Sequence, residues 1–205
     1  MMKETISRGM DKHVIITLHG TGGTATSLFE LAHFLDPEST KIGFQGEVNE
    51  NGMSRYFARY PDGSFDLLSL AKATQDLYES IRESLKKNSL EDAMVTIIGY
   101  SNGANLAKNL LKEYTDLPVD TILLFHPSQV TPDKGFKKQA NLRVLMTAGK
   151  KDPYVTESEF MQIKTSMAAA SIKVETVIRD QGHQITQEEL NDAKSFLSMK
   201  MEDVQ

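Results

Sequence analysis

The stretch Met94-Val95-Thr96-Ile97-Ile98-Gly99-Tyr100-Ser101-Asn102-Gly103-Ala104-Asn105-Leu106 decides the fold. Residues 94–99 are a short, β-branched apolar run, which suits a strand buried on both faces of a parallel sheet. Residues 102–114 carry Leu106, Leu110 and Leu111 at helical spacing, so a helix starts almost at once. Between them, Gly99-Tyr100-Ser101-Asn102-Gly103 matches G-x-S-x-G. Strand, sharp turn and helix in that order form a nucleophile elbow. The glycines let strand and helix approach closely while Ser101 projects its hydroxyl. The competing reading is a serine that only caps the helix.

The same alternation continues outward in both directions. Apolar runs recur at residues 13–18, 41–48, 121–126, 142–148 and 172–178. Between them lie helical stripes such as Leu67, Leu70, Leu77, Tyr78, Ile81 and Leu85. The expected class is α/β: a mostly parallel central sheet of about six to seven strands, with helices on both faces. One domain is expected over residues 1–205, with residues 1–12 a short N-terminal extension and no room for a cap domain. Residues 49–65 read as a long irregular loop. Asp66 is placed to cap a helix, with Phe65 and Leu70 as a hydrophobic staple. Thr156 with Glu159, and Thr186 with Glu189, read as capping boxes. These starts put Asp152 and His183 on strand-to-helix turns, where open α/β sheets hold their chemistry.

Composition narrows the function classes. The 205 residues are 40% hydrophobic and 25% charged, an ordinary globular balance. No apolar run nears the roughly 18 residues of a membrane helix, so no membrane span is expected. The net charge of −5 argues against a nucleic-acid partner. Cysteine is absent, which excludes a thiol nucleophile and thiolate-bound metal. Residues 1–10 lack the apolar core of a signal peptide, and a cytoplasmic protein is expected.

A serine hydroxyl needs a base. His126 and His183 follow Ser101 in the chain, and only His183 leaves a strand end between for the acid. His126, before Pro127, is the alternative base and otherwise structural. Asp152 in Gly149-Lys150-Lys151-Asp152-Pro153 is the expected acid, ahead of Asp133 and Asp180; the rival reading is a plain Asp-Pro turn. Leu18-His19-Gly20-Thr21-Gly22-Gly23 falls where an oxyanion turn belongs, with the N–H groups of Thr21 and Asn102 as expected donors. His19, Gly20, Gly22, Gly23, Gly99 and Gly103 support these turns. A rival exists here too: residues 20–25 satisfy G-x-G-x-x-A, a dinucleotide fingerprint, with Glu47 as a candidate ribose acid. In the loop, Met53, Arg55, Tyr56 and Phe57, with Arg59 and Tyr60 beside them, form a candidate substrate rim; alternatively the aromatics pack the loop onto the sheet.

Taken together, the stretches LHGTGG, ENGMSRYFARYPDGSFD, GYSNGAN, GKKDPYV and DQGHQIT resemble the phospholipase/carboxylesterase branch of the α/β-hydrolase superfamily. That branch includes acyl-protein thioesterases and small bacterial carboxylesterases. The Arg55-Tyr56-Phe57 segment and Asn102 look most like the small hydrolases of methylhydroquinone-resistance operons; many relatives carry Gln where Asn102 stands. The resemblance implies a Ser101, Asp152, His183 triad with backbone donors at Thr21 and Asn102. It also implies ester hydrolysis through an acyl-enzyme on a small or exposed substrate, without metal or cofactor. Thioester, lactone or carbon–carbon bond hydrolysis would use the same residues. A nucleotide-binding oxidoreductase and a catalytically silent binding protein are the other classes. Small hydrolases of this kind often pair, so a homodimer is one expectation.

Overall fold

The chain runs β1 (Glu4–Ser7), β2 (His13–Leu18), α1 (Phe29–Leu35), β3 (Thr40–Phe44), β4 (Val48–Glu50), β5 (Met53–Arg55), α2 (Leu67–Lys87), β6 (Met94–Tyr100) and α3 (Asn102–Glu113). It continues through β7 (Thr121–Phe125), β8 (Arg143–Gly149), α4 (Glu157–Ala169), β9 (Lys173–Arg179) and α5 (Gln187–Ser198). The computed structural model describes residues 1–199.

Side chains alternate across a strand, so an apolar run presents two apolar faces. In β2, Val14, Ile16 and Leu18 join one core and Ile15 the other. β6 divides Ile97 from Ile98, and β7 divides Ile122 and Leu124 from Leu123 and Phe125. Both faces need cover. Leu70 and Leu77 of α2, Leu106 and Leu110 of α3, and Phe160 of α4 pack into the first core. Ala32 of α1 and Ala193 and Phe196 of α5 pack into the second. The seven strands lie in the order β1-β3-β2-β6-β7-β8-β9, parallel except for β1 against β3.

Local signals start the helices as expected. The Asp66 carboxylate accepts from the N–H groups of Leu68 and Ser69, both at 3.0 Å. Both capping boxes form, Thr156 with Glu159 and Thr186 with Glu189. No helix among the described residues is long and apolar enough to cross a membrane.

Three segments differ from their sequence reading. Glu4–Ser7, inside the expected extension, is an edge strand, with alternate residues half-buried. The run at 41–48 stops at Phe44, where its pairing with β1 and β2 ends; beyond it Gly46 lies against the Arg55 backbone, and a Cβ there would meet the Arg55 carbonyl carbon at 2.6 Å. The expected loop at 49–65 opens with the β4–β5 hairpin. Its Asn51-Gly52 turn has φ of 52° and 86°, the left-handed pair that a type I′ hairpin needs.

The strand order explains where a site can form. From β2 the chain goes to β3 on one side, then returns to β6 on the other. A crevice opens at such a switch point, beyond the carboxyl ends of the strands. The turns after β2, β6, β7, β8 and β9 carry Gly20, Ser101, His126, Asp152 and His183.

Candidate active site

The elbow is built by close approach. A Cβ at Gly103 would lie 2.1 Å from the Leu18 carbonyl oxygen, and one at Gly99 would lie 2.7 Å from the Ala104 Cα. Only glycine lets α3 start so near β2 and β6. Ser101 sits at the corner with φ 51° and ψ −111°. A non-glycine residue there stores roughly 1–3 kcal/mol of strain, which the packed neighbours must hold. Its side chain makes no capping bond to α3. Instead its Oγ lies 2.8 Å from Nε2 of His183.

His183 enters from the turn after β9, and its Nδ1 lies 2.7 Å from Oδ2 of Asp152. The backbone N–H of Tyr154 donates to Oδ1 of Asp152 at 2.9 Å. The Tyr100 hydroxyl donates to the His183 carbonyl at 2.9 Å, and the Tyr154 ring stands edge-on to the His183 ring at 4.9 Å. Burial pushes the Asp152 carboxyl up, but hydrogen bonds from His183, the Tyr154 N–H and His126 outweigh it and hold the group below its ordinary range. Asp180, the rival acid, pairs with exposed Lys151 instead.

The Gly20–Gly23 turn has its own anchor. His19 is buried; its Nδ1 lies 2.7 Å from the Gly20 carbonyl, while Nε2 accepts the Gly46 N–H at 3.0 Å. The ring is therefore the neutral Nδ1–H tautomer, and burial lowers its pKa. Beyond it, the N–H groups of Gly22, Gly23, Thr24 and Ala25 bond to Ser54 O, Gly20 O, Ser27 Oγ and Gln45 Oε1. Among the described residues, the N–H of Thr21 takes no partner in this turn. A dinucleotide cradle needs free amides and a helix starting at the glycines. Here the amides of residues 22–25 are engaged and α1 starts only at Phe29, so the turn does not form such a cradle.

A cleft of about 560 Å³ opens over Ser101 and His183, with Thr21, Asn102, Met53 and Arg59 in its walls. Arg55 also lines it, although its side chain is almost wholly buried. Its Nη1 donates to Thr21 Oγ1 at 2.7 Å and lies 3.3 Å from Glu50, which also binds Arg59. Tyr56 and Phe57 are not at the rim. Both are core residues, 4% and 0% exposed. The Tyr56 hydroxyl donates to the Phe44 carbonyl and accepts the His19 N–H, while Phe57 packs on Phe65. The hairpin turns this segment inward, which its aromatic composition alone does not reveal. The Tyr56 N–H donates to Oδ1 of Asn102 at 2.8 Å and ties the segment to the start of α3.

Residues 3–201 match the phospholipase/carboxylesterase family. The chain belongs to that family. It is 35% identical over 197 residues, 95% of this chain and 97% of the other, to MhqD of Bacillus subtilis strain 168, which is named as a hydrolase. A carboxylesterase from Bacillus cereus superposes with a TM-score of 0.90 at 34% identity, over 96% of this chain and 93% of that one. A carboxylesterase from Mesorhizobium loti gives 0.86 at 25%, over 94% and 91%. The chain is thus a carboxylesterase-type hydrolase with the α/β-hydrolase fold, and its described residues include no cap domain.

His126, the alternative base, meets Asp152 rather than Ser101. His126 is fully buried, with φ 55°, and its Nδ1 lies 2.9 Å from the same Oδ2 of Asp152 that faces His183. Its Nε2 lies 3.2 and 3.4 Å from the two oxygens of Glu189, the buried third residue of the α5 capping box. Burial alone would lower the His126 pKa, but Glu189 and then Asp152 raise it. Both Thr-x-x-Glu and the strand-end histidine were visible in the sequence. That they meet was not. Among the described residues, His126, Asp152 and His183 are the one cluster with metal-ligand chemistry, and their nitrogens face the Asp152 carboxylate.

Proposed function

We propose that this hydrolase cleaves carboxylic esters of small or exposed molecules through an acyl-enzyme on Ser101. The observation that carries the reading is the continuous chain Ser101 Oγ, His183 Nε2, His183 Nδ1, Asp152 Oδ2, with separations of 2.8 and 2.7 Å. In the first step His183 Nε2 takes the Ser101 proton as Oγ bonds to the ester carbonyl carbon. Asp152 holds the Nδ1–H tautomer and balances the imidazolium that forms. The oxyanion takes hydrogen bonds from the N–H groups of Thr21 and Asn102. His183 then protonates the departing alcohol. Water enters, gives a proton to His183, and releases the acid. Ser101 regains its proton.

Family membership, the strained elbow and the unpartnered Thr21 amide support the same assignment. A cysteine-free chain suits a reducing cytoplasm, and that compartment belongs to the proposal. Turnover of p-nitrophenyl acetate by the wild type and Ser101→Ala tests it, alongside labelling with a fluorophosphonate. We expect kcat/KM to fall by roughly 10³-fold or more and labelling to vanish. Undiminished labelling of Ser101→Ala would remove the nucleophile. Thioesters and lactones in the same assay rank the acyl donors.

A further inference from the structure

We propose that His126 is a positioning residue, held as an imidazolium between Asp152 and Glu189, that fixes the carboxylate on which His183 depends. The proposal rests on the Ser101, His183, Asp152 reading above.

Two carboxylates lie at the back of this site with side chains 0% exposed. An ionised carboxylate in such a place needs an opposite charge, because the loss of hydration is severe. Glu189 receives the Gln181 amide at 2.5 Å and the Thr186 N–H at 3.0 Å, and both donors are neutral. Asp152 receives the Tyr154 N–H and faces the two imidazoles. His126 is the cation that lies between the pair. An ionised carboxylate only accepts hydrogen bonds. Both ring nitrogens of His126 face carboxylate oxygens, so both carry hydrogen, and a ring with two N–H groups is charged. The direction of its pKa, raised by Glu189 and Asp152 against burial, agrees.

The geometry converts that charge into position. Oδ2 of Asp152 is shared by Nδ1–H of His183 and Nδ1–H of His126. Oδ1 is fixed by Tyr154 N–H. Both carboxylate oxygens are therefore held by donors, and the group keeps one orientation toward His183. The titratable groups facing His126 are Asp152 from the β8 turn, Glu189 from α5, His183 from the β9 turn and Tyr100 from β6. The His126 and His183 rings are 5.2 Å apart. The His126 ring thus lies beside the group that must accept the Ser101 proton. Asp152 balances the charge that His183 gains during reaction.

The test has two readouts on the intact protein. Nitrogen NMR of ¹⁵N-histidine-labelled protein should show both ring nitrogens of His126 protonated from about pH 5 to about pH 7. A neutral His126 over that span, with the proton on Glu189, overturns the proposal. The second readout is the pH profile of kcat/KM for p-nitrophenyl acetate in His126→Asn/Glu189→Gln. This pair removes both charges together, so that no buried charge is orphaned, and the Asn amide can still donate to Asp152. We expect the acid limb to move up by about one pH unit, with kcat lowered more than KM is raised. An unmoved limb in a folded variant also overturns the proposal. If the double variant does not fold, the wild-type NMR result decides alone. Fluorophosphonate labelling of Ser101 in each sample separates the outcomes: labelling kept with an unmoved limb removes only the role of His126, whereas labelling independent of Ser101 removes the underlying mechanism.

Discussion

The molecule contains the same four-residue device twice, and the two copies do different work. Thr156 to Glu159 and Thr186 to Glu189 both close a capping box at a helix start. At α4 the Glu159 carboxylate bonds back to Thr156 N–H and Oγ at a solvent-exposed corner. At α5 the Glu189 carboxylate bonds back to Thr186 N–H but is fully buried against His126. One box closes at an exposed corner, where Glu159 borders the cleft. The other has its carboxylate turned inward, where the helix start also supplies a charge to the rear of the site. A local motif thus sets local geometry, and the tertiary partner sets its meaning.

Paired substitutions break this comparison at its strongest point first. Glu189→Ala leaves the buried His126 imidazolium facing Asp152 alone, and we expect a loss of about 3–5 kcal/mol in unfolding free energy. Glu159→Ala should cost about 0.5–1 kcal/mol, as a cap at an exposed corner does. Urea denaturation of both variants reads the difference directly. Equal losses would mean that the buried carboxylate carries no charge.

Acidity sharpens the contrast. Asp152 and Glu189 are both held below their ordinary values of 3.8 and 4.5. Their stabilisation is present above those values and disappears as pH falls through the lower folded ones. His126 runs the other way. Raised from 6.5, it stabilises fully below that value and loses its contribution as pH climbs through its higher folded pKa. Unfolding free energy should therefore peak between these limits, and Glu189→Gln should flatten both flanks. An unchanged pH profile in Glu189→Gln would count against the ion cluster.

The smallest contrast between the two boxes lies in their cap threonines. Thr156→Ala and Thr186→Ala should each cost about 1 kcal/mol. Thr186 should be somewhat the costlier, since its Oγ1 also donates to Gln181 Oε1 at 2.9 Å. Thermal melts of the two single variants measure that difference.

The fold was largely legible because its main strands are apolar on both faces, a pattern that needs no knowledge of neighbours. β1 escaped because an edge strand of four residues, with Ile6 as its one aliphatic side chain, resembles a tail. The β4–β5 hairpin escaped although Asn51-Gly52 announces its turn, because its strands are three residues each. At the site, Ser101, His183 and Asp152 could be read from chain order and strand ends. For Tyr56 and Phe57 the packing alternative holds rather than the rim, and the sequence left both open, since an aromatic loop looks the same whether it faces a ligand or the core. The meeting of His126 with Glu189, 63 positions apart, is set by how α5 docks beneath β7 and β8, which no local pattern encodes.

The β4–β5 hairpin has a bearing on redesign. Its Ser54 carbonyl accepts the Gly22 N–H at 2.8 Å, and its Arg55 grips the Thr21 hydroxyl. The segment that borders the cleft is thereby bolted to the turn that carries the Thr21 amide. Exchanging residues 48–55 for those of a relative, as a protein engineer would to alter the range of esters accepted, replaces more than a wall. It also resets the alignment of the Thr21 amide, the oxyanion donor we propose, so on that proposal selectivity and turnover change together unless Ser54 and Arg55 are retained in the graft.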